Sequence, residues 1–342
     1  MFLANIKKKI KKKITIQTPS LLNSEKNNIF NKYNNTENTS LFSFGEKNPD
    51  KFFYIIKITP GAGLFSNVLF VLNHLKLARK KNYIPFVDMQ NFSTIYNEAE
   101  KIHNTFNAWE YFFENYTKIS INEIYQSKNV YISSNLFHKS FFKDTNTDEL
   151  RKYFRDNLKI KKRYKKIVDF FSEKYFKNKK ILGVHFRGTS YKRSPGHPLP
   201  ATKKQILKRI NQLQVNNDYD KIFFVTEEEN YKKFLISNLS TKSLFLESSY
   251  RSDKNDAFEI YPRRLHRFKL GREALLEALL LSKCDALIYI TSNVSSSAIA
   301  WNLNTTQKRI KIDNGLNSNN VFLAQIFWYI KKRLPKFLGG FK

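Results

Sequence analysis

A histidine and an arginine stand at the end of an apolar run, in residues 183–190, which read GVHFRGTS. The run Ile181–Phe186 predicts a buried strand, and parallel α/β sheets bind ligands beyond the carboxyl ends of their strands. The guanidinium of Arg187 stays charged at any working pH and can donate two hydrogen bonds to phosphate oxygens. Arg187, with His185 and Gly188 beside it, is therefore a candidate phosphate-binding residue. A buried structural arginine is the alternative.

A second polar cluster, residues 291–297 with the sequence TSNVSSS, follows a predicted strand and leads into a predicted helix. Small hydroxyl residues at such a turn cap the helix and leave backbone N–H groups and hydroxyls available to phosphate oxygens. A plain helix cap is the alternative, and it accounts for one serine better than for several. The candidate phosphate-binding residues of this cluster are Ser292, Asn293, Ser295, Ser296 and Ser297.

A glycine-rich turn, GAGLFSN in residues 61–67, lies between a predicted strand and a predicted helix in the first half of the chain. It matches the dinucleotide-binding fingerprint only loosely, because the third glycine is missing. Gly61, Gly63 and Asn67 are candidates for a functional loop. The alternative is that the glycines only allow the backbone to turn sharply.

Two further strand ends carry residues that could do chemistry. Thr226 and Glu227 open a helix, where a threonine cap and the helix dipole explain them, although they could also hold the ribose or base of a nucleotide. Asp88 follows a strand of the first half and is a candidate general base, which must reach a reacting hydroxyl within hydrogen-bond distance. His185 is an equal candidate for that base or for a donor to phosphate.

An Asp-x-Asp sequence, Asp218 to Asp220, is the one pattern suggestive of a divalent metal site. It precedes a predicted strand, at the amino end rather than the carboxyl end, and its composition is typical of a turn. We therefore predict no metal ion and no other cofactor.

The composition limits the classes of protein considered. The 342 residues suffice for two domains, the formal net charge is +31, and the single cysteine, Cys284, precludes an internal disulfide. A positive field of that size favours a polyanionic partner, although a lysine-rich codon bias explains it equally well. The sequence contains neither a transmembrane-length apolar segment nor a secretory signal, so we expect a cytoplasmic protein.

Strand-like and helix-like runs alternate along most of the chain, which predicts a parallel α/β fold. Residues 1–50 are rich in Lys and Asn and predict a basic arm with a flexible linker. Residues 51–175 and 176–315 predict two α/β domains, the second binding the nucleotide. Residues 316–342 predict a basic amphipathic tail whose first half packs on the body and whose cations face a membrane.

Taken together, the motifs resemble the α-1,6-fucosyltransferase and O-fucosyltransferase-like superfamily over residues 55–305. They are the glycine turn with its helix, the strand reaching Asp88, His185-x-Arg187, and the Glu277 helix followed by the Ser292 turn. The resemblance implies a glycosyltransferase B fold, with two Rossmann-like domains facing across a cleft. The glycine turn then belongs to the acceptor side.

The resemblance also implies an activity, the metal-independent, inverting transfer of fucose from GDP-fucose to a glycan hydroxyl. Arg187 matches the arginine that binds the donor diphosphate, Glu277 matches an acidic residue near the donor, and Ser292 matches the small hydroxyl residue after the last motif strand. Surface polysaccharide synthesis at the inner membrane face would suit the basic termini.

The sequence departs from the α-1,6-enzymes after Arg187, where Gly188 and Ser190 replace a second arginine and an aspartate. Two other functions therefore stay open. One is a catalytically inactive glycan-binding relative. The other is a nucleic-acid-binding protein. Two observations argue against it: the lysines are dispersed or terminal, and the common binding-module signatures are missing from the sequence.

Overall fold

The computed structural model describes seven stretches of the chain, namely residues 39–57, 63–134, 148–216, 219–239, 242–254, 256–304 and 306–342. Most of the predicted basic arm, together with Gly61 and Asp218, lies outside these residues.

Nine strands form two sheets. They are β1 (Ser40–Phe42), β2 (Lys47–Ile56), β3 (Ile84–Val87), β4 (Ser127–Ile132), β5 (Ile181–Phe186), β6 (Lys221–Thr226), β7 (Ser243–Leu244), β8 (Ala286–Tyr289) and β9 (Lys308–Lys311) in the described stretches. The first sheet has the order β1-β4-β2-β3, and the second has the order β7-β6-β5-β8-β9. All pairs in the second sheet are parallel.

The helices connect and cover these sheets. They are α1 (Leu64–Lys80), α2 (Ala108–Phe112), α3 (Ile121–Ile124), α4 (Asp148–Asn157), α5 (Lys162–Tyr175), α6 (Lys203–Asn216), α7 (Glu229–Leu239), α8 (His266–Leu281), α9 (Asn293–Trp301) and α10 (Val321–Arg333). A short 3-10 helix, Lys336–Leu338, follows α10. None of the described helices is both long and apolar enough to cross a membrane.

The first sheet begins earlier in the chain than the sequence indicates. Strand β1 pairs antiparallel with β4, and β2 starts at Lys47, so residues before 51 already belong to the fold. A three-residue strand among polar neighbours has no alternation of its own to reveal it, because its stability comes from the pairing with β4. Residues 40–50 are therefore not the flexible linker that we predicted.

A single large core spans both halves of the chain. Helix α8 lies against α2, α5 and α1 of the first half and against β5 of the second. The ring of Phe268 on α8 stacks on Phe112 at 5.7 Å between centroids. Gly271 makes this approach possible, since a Cβ there would lie 2.5 Å from the Phe112 ring. The predicted boundary at residue 175 is thus crossed by a continuous apolar interface.

The tail is part of the second half rather than an appendage. Trp328 of α10 is buried and donates from its indole nitrogen to the carbonyl of Pro200 at 2.8 Å. Phe341 and Leu199 complete the small apolar cluster around it. Helix α10 therefore rests on the loop that follows β5, which is the loop that also carries Arg187.

Candidate functional site

Arg187 follows the last residue of β5 and is half buried. Its guanidinium lies over the ring of Tyr191 at 4.9 Å, and its Nε is buried without a hydrogen-bond partner among the described residues. Burial acts to lower the pKa of Arg187, but the carboxylate of Glu227 and the nearby tyrosines raise it, and the net shift is upward. The cation is permanent and keeps donor capacity free for an anion.

Glu227 fixes the backbone of the loop beside Arg187. One of its carboxylate oxygens accepts hydrogen bonds from the backbone nitrogens of Gly188 at 3.1 Å and Thr189 at 3.3 Å, and from the Thr189 hydroxyl at 3.0 Å. The predicted function of Glu227 in holding a ribose or base would have to use its other oxygen. Thr226 accepts a bond from the backbone nitrogen of Glu228, as a cap should.

Gly188 is where the α-1,6-enzymes carry their second arginine, and the packing explains the glycine. A Cβ at this position would lie 2.0 Å from the carboxylate of Glu228 and 2.5 Å from the ring of Phe186. Glu228 itself is buried and pairs with Lys192 at 2.5 Å. A side chain at position 188 would therefore collide with a buried ion pair.

His185 points from β5 into the interior next to Arg187. It is almost fully buried, and its Nδ1 has no hydrogen-bond partner in the described part of the chain. Burial lowers the pKa of His185 to about 3, and the charge of Arg187 adds to the shift. A neutral imidazole with such a pKa is a weak base, so His185 suits hydrogen bonding to a ligand better than proton abstraction.

Only some serines of the cluster at α9 cap the helix. Ser292 and Ser295 form a capping box, in which each hydroxyl bonds the backbone nitrogen of the other residue at 3.1 and 3.0 Å. Asn293 is exposed and donates to the hydroxyl of Ser66 on α1 at 2.8 Å. The capping interpretation thus accounts for two of the predicted serines.

The remaining two serines differ in their surroundings. Ser297 is buried with an unpartnered hydroxyl, and Ser296 is partly buried. The start of α9 still presents the positive end of a helix to the space between β8 and α1.

The start of α1 reaches the same region through Tyr96. The Tyr96 hydroxyl accepts from the backbone nitrogen of Leu64 at 2.7 Å and lies 4.0 Å from where a Cβ of Gly63 would be. Burial raises the pKa of Tyr96 to about 12, and the positive charge of Arg187 opposes this shift, so the two side chains interact electrostatically. Gly63 is the N-cap residue of α1.

Asn67 lies one helical turn after Gly63 and therefore on the same face of α1. It is buried, and neither its amide nitrogen nor its amide oxygen has a partner among the described residues. A buried amide that lacks all its hydrogen bonds is costly, which favours a ligand as its partner.

Glu277 of α8 lies in a polar cluster below the loop 245–251. It accepts a hydrogen bond from Ser249 at 2.6 Å and faces Arg251 at 3.7 Å. Burial raises the pKa of Glu277 to about 7, Arg251 and Ser249 lower it, and the like charges of Glu273 and Glu227 raise it further. Because Glu227 also bonds the loop that follows Arg187, its repulsion of Glu277 indicates that Glu277 lies near this loop.

Asp88 does not join this group. It is fully buried, and its two oxygens accept from the backbone of Gln90 and Asn91, the Asn91 amide and the Tyr125 hydroxyl at 2.7–3.0 Å. Burial raises its pKa, and these hydrogen bonds oppose the shift. The structure gives Asp88 the geometry of a turn-stabilising residue.

Sequence reasoning missed three residues that the structure brings to the site, Tyr96, Tyr191 and Arg251. Tyr191 could have been noticed, because it follows Arg187 by four residues in a loop that has few other large side chains. The other two lie in segments without a motif. Across the described stretches, no group of three or more His, Cys, Asp or Glu side chains is placed to hold a metal ion.

Comparison with known proteins gives a match of fold only. No protein-family model and no curated protein matches the sequence. The structure of POFUT1 in complex with GDP-fucose matches with a TM-score of 0.50 at 9% identity, over 80% of this chain and 100% of the other.

Two further fucosyltransferases are similar at lower scores. NodZ from Bradyrhizobium, an alpha-1,6-fucosyltransferase soaked with GDP-fucose, gives a TM-score of 0.46 at 15% identity over 73% of this chain and 93% of that one. A mutant of Arabidopsis thaliana FUT1 in complex with GDP gives 0.39 at 12% identity, over 74% and 69%. The match to the POFUT1 structure shows a shared α/β fold, the class that the alternation of strand-like and helix-like runs predicted.

Proposed function

We propose that this protein is a glycosyltransferase that moves fucose from GDP-fucose to a glycan hydroxyl, with the two halves in the glycosyltransferase B arrangement. The observation that carries the proposal is that buried polar groups at the end of β5 and on α1 lack partners in the described part of the chain. Arg187 and His185 each keep an unpaired nitrogen at the end of β5, and Asn67 keeps both polar atoms of its amide unpaired on α1. Such groups are costly in an empty site and are expected where a polar ligand binds.

In this proposal Arg187 binds the diphosphate. Its unpaired guanidinium stabilises the negative charge that develops as the nucleoside diphosphate leaves, and the N-terminus of α9 adds the partial positive charge of its backbone amides. The cation and the amides make a metal ion unnecessary. Tyr191 and Glu227 hold the guanidinium and its loop in place, so that little reorganisation is required during the reaction.

The base of the donor would lie between β5 and α8. Guanine presents adjacent N–H groups, which a carboxylate accepts well, and it also presents ring acceptors. Glu277 supplies the carboxylate, and neutral His185 supplies an imidazole nitrogen that is free of partners. This pairing favours guanine over uracil, which lacks the amino group.

The acceptor would approach from α1, where Asn67 and the Gly63 turn lie. Its hydroxyl attacks the anomeric carbon on the face opposite the leaving diphosphate, which inverts the configuration, and the hydroxyl proton is released to water. We propose a growing surface polysaccharide as the acceptor and the inner face of the membrane as the location, which the charge of +31 supports through attraction to anionic lipids.

A thermal-shift panel of GDP, UDP, ADP and CMP, with and without Mg²⁺, tests the donor site. Ligand binding to the folded state raises Tm, and we expect the rise with GDP, without Mg²⁺, to be lost in Arg187→Ala. The matched control is Arg209→Ala, because Arg209 is exposed on α6 and bonds only Gln212. An equal GDP shift in the Arg187 variant, or no shift with any nucleotide, would contradict the proposal.

A further inference from the structure

One side of helix α10 carries large apolar side chains that nothing in the described structure covers. Ala324 and Trp328 face the body and are buried. On the opposite side, apolar residues recur at helical spacing and therefore form one stripe. This stripe, called the α10 face below, consists of Phe322, Leu323, Ile326, Tyr329 and Ile330, each at least 40% exposed, and continues into Phe337 and Leu338 at 85% and 60%.

The charge around the α10 face has a single sign. Residues 314–342 contain no Asp or Glu. Their cations lie in the last turn of the helix and beyond it, at Lys331, Lys332, Arg333, Lys336 and Lys342. An apolar stripe bordered only by cations is typical of helices that lie in a membrane interface, where cations meet the headgroups and apolar side chains enter the acyl boundary.

We propose that the α10 face is a docking surface for an anionic lipid bilayer. Each Lys or Arg near an anionic surface strengthens binding by about fivefold, since it contributes about 1 kcal/mol. The lysine-rich residues 7–13 are an unsuitable cover for this face, because they carry the same sign of charge. They are better suited to the same lipid surface.

Docking through α10 would fix the orientation of the site. Gln325 donates to the carbonyl of Arg193 at 3.2 Å, and the guanidinium of Arg193 lies over the ring of Tyr329 at 5.8 Å. The loop between β5 and α6 would therefore lie at the headgroups, a few residues from Arg187. This inference is independent of the sugar donor, since it depends only on the surface of α10.

Sedimentation with phosphatidylcholine vesicles, with and without about one third phosphatidylserine, tests the proposal on the full chain. We expect binding to the anionic vesicles only, and a loss of at least about tenfold in Phe322→Ser/Ile326→Ser, because both side chains would leave the acyl boundary. The matched control is Val215→Ser, since Val215 is 86% exposed on α6, away from α10. Unchanged Tm values and GDP shifts in all variants would show that they fold.

A second variant, Arg333→Gln/Lys336→Gln, separates charge from apolar insertion, because both of these cations are exposed. It should weaken binding by about tenfold or more at low salt, and the difference should shrink as salt rises. Equal binding to neutral and anionic vesicles would overturn the proposal. So would binding that survives both double variants, or a wild-type dimer that dissociates in Phe322→Ser/Ile326→Ser without any vesicle binding.

Discussion

The two sheets end in polar residues that look equivalent in the sequence and differ in the structure. Asp88 follows β3 in the first sheet, and Arg187 follows β5 in the second. Asp88 accepts four hydrogen bonds from its own turn and from Tyr125, whereas Arg187 keeps a buried nitrogen without any partner among the described residues. Both residues stand at the end of a strand, but only Arg187 has hydrogen-bonding capacity that the described residues leave unused.

This difference distinguishes a residue that holds the fold from one that awaits a ligand. A satisfied buried carboxylate contributes to stability, and its removal leaves donors unpaired. A buried N–H group without an acceptor costs stability until a ligand supplies one. The same reasoning separates Ser292 and Ser295, which cap α9, from Asn67, whose amide has no partner in the described residues.

The largest expected effect is on stability, at Asp88. The substitution Asp88→Asn removes an oxygen that accepts from Tyr125 and the Asn91 amide, so we expect the free energy of unfolding to fall by about 1–3 kcal/mol. Chemical denaturation measures it. GDP affinity should stay the same, and a Kd for GDP weakened as strongly as by Arg187→Ala would erase the contrast between the two strand ends.

A smaller effect is expected on donor affinity at Glu227. The substitution Glu227→Gln keeps an acceptor for the backbone of Gly188 and Thr189 but removes the charge that helps to position Arg187. We expect the Kd for GDP to rise by about fivefold, since charge-assisted hydrogen bonds are stronger than neutral ones by about 1 kcal/mol. Calorimetric titration checks it, with Glu229→Gln on α7 as control.

The last effect concerns the way in which stability depends on pH, at Glu277. Its pKa is about 7 in the folded protein against an ordinary value of 4.5, so the folded state holds the proton more tightly. Stability should therefore fall as pH rises from about 4.5 to about 7 and change little from this group above that. Glu277→Gln should flatten the Tm curve across that window. A curve identical to that of the wild type would mean that Glu277 titrates normally.

The second sheet was largely predictable from the sequence because its strands are short apolar runs separated by helical patterns. Strand β5 has the predicted bounds, Ile181–Phe186. Such parallel strands are buried on both faces and show as continuous apolar runs. The His185-x-Arg187 motif follows directly, since the end of that strand fixes where both side chains emerge.

The first half was harder, because its structure depends on contacts between distant residues. Helices α2 and α3 are short, and the stretch of chain before α2 is held by side chains such as Asn97 and Asn107. Likewise, periodicity shows which residues of α10 share a face but not whether another element covers that face. We predicted that its first half packs on the body; Ala324 is buried there, whereas Phe322 on the opposite side is 73% exposed.

The packing of α10 on the loop after β5 has an evolutionary consequence. Leu199 and Pro200 of the loop meet Trp328 and Phe341 of the tail, so neither side can change its volume alone without leaving a cavity or a clash. In related sequences these two segments, more than a hundred positions apart, should therefore be inherited as a matched pair. Lineages that lose the tail should also carry a remodelled loop beside Arg187.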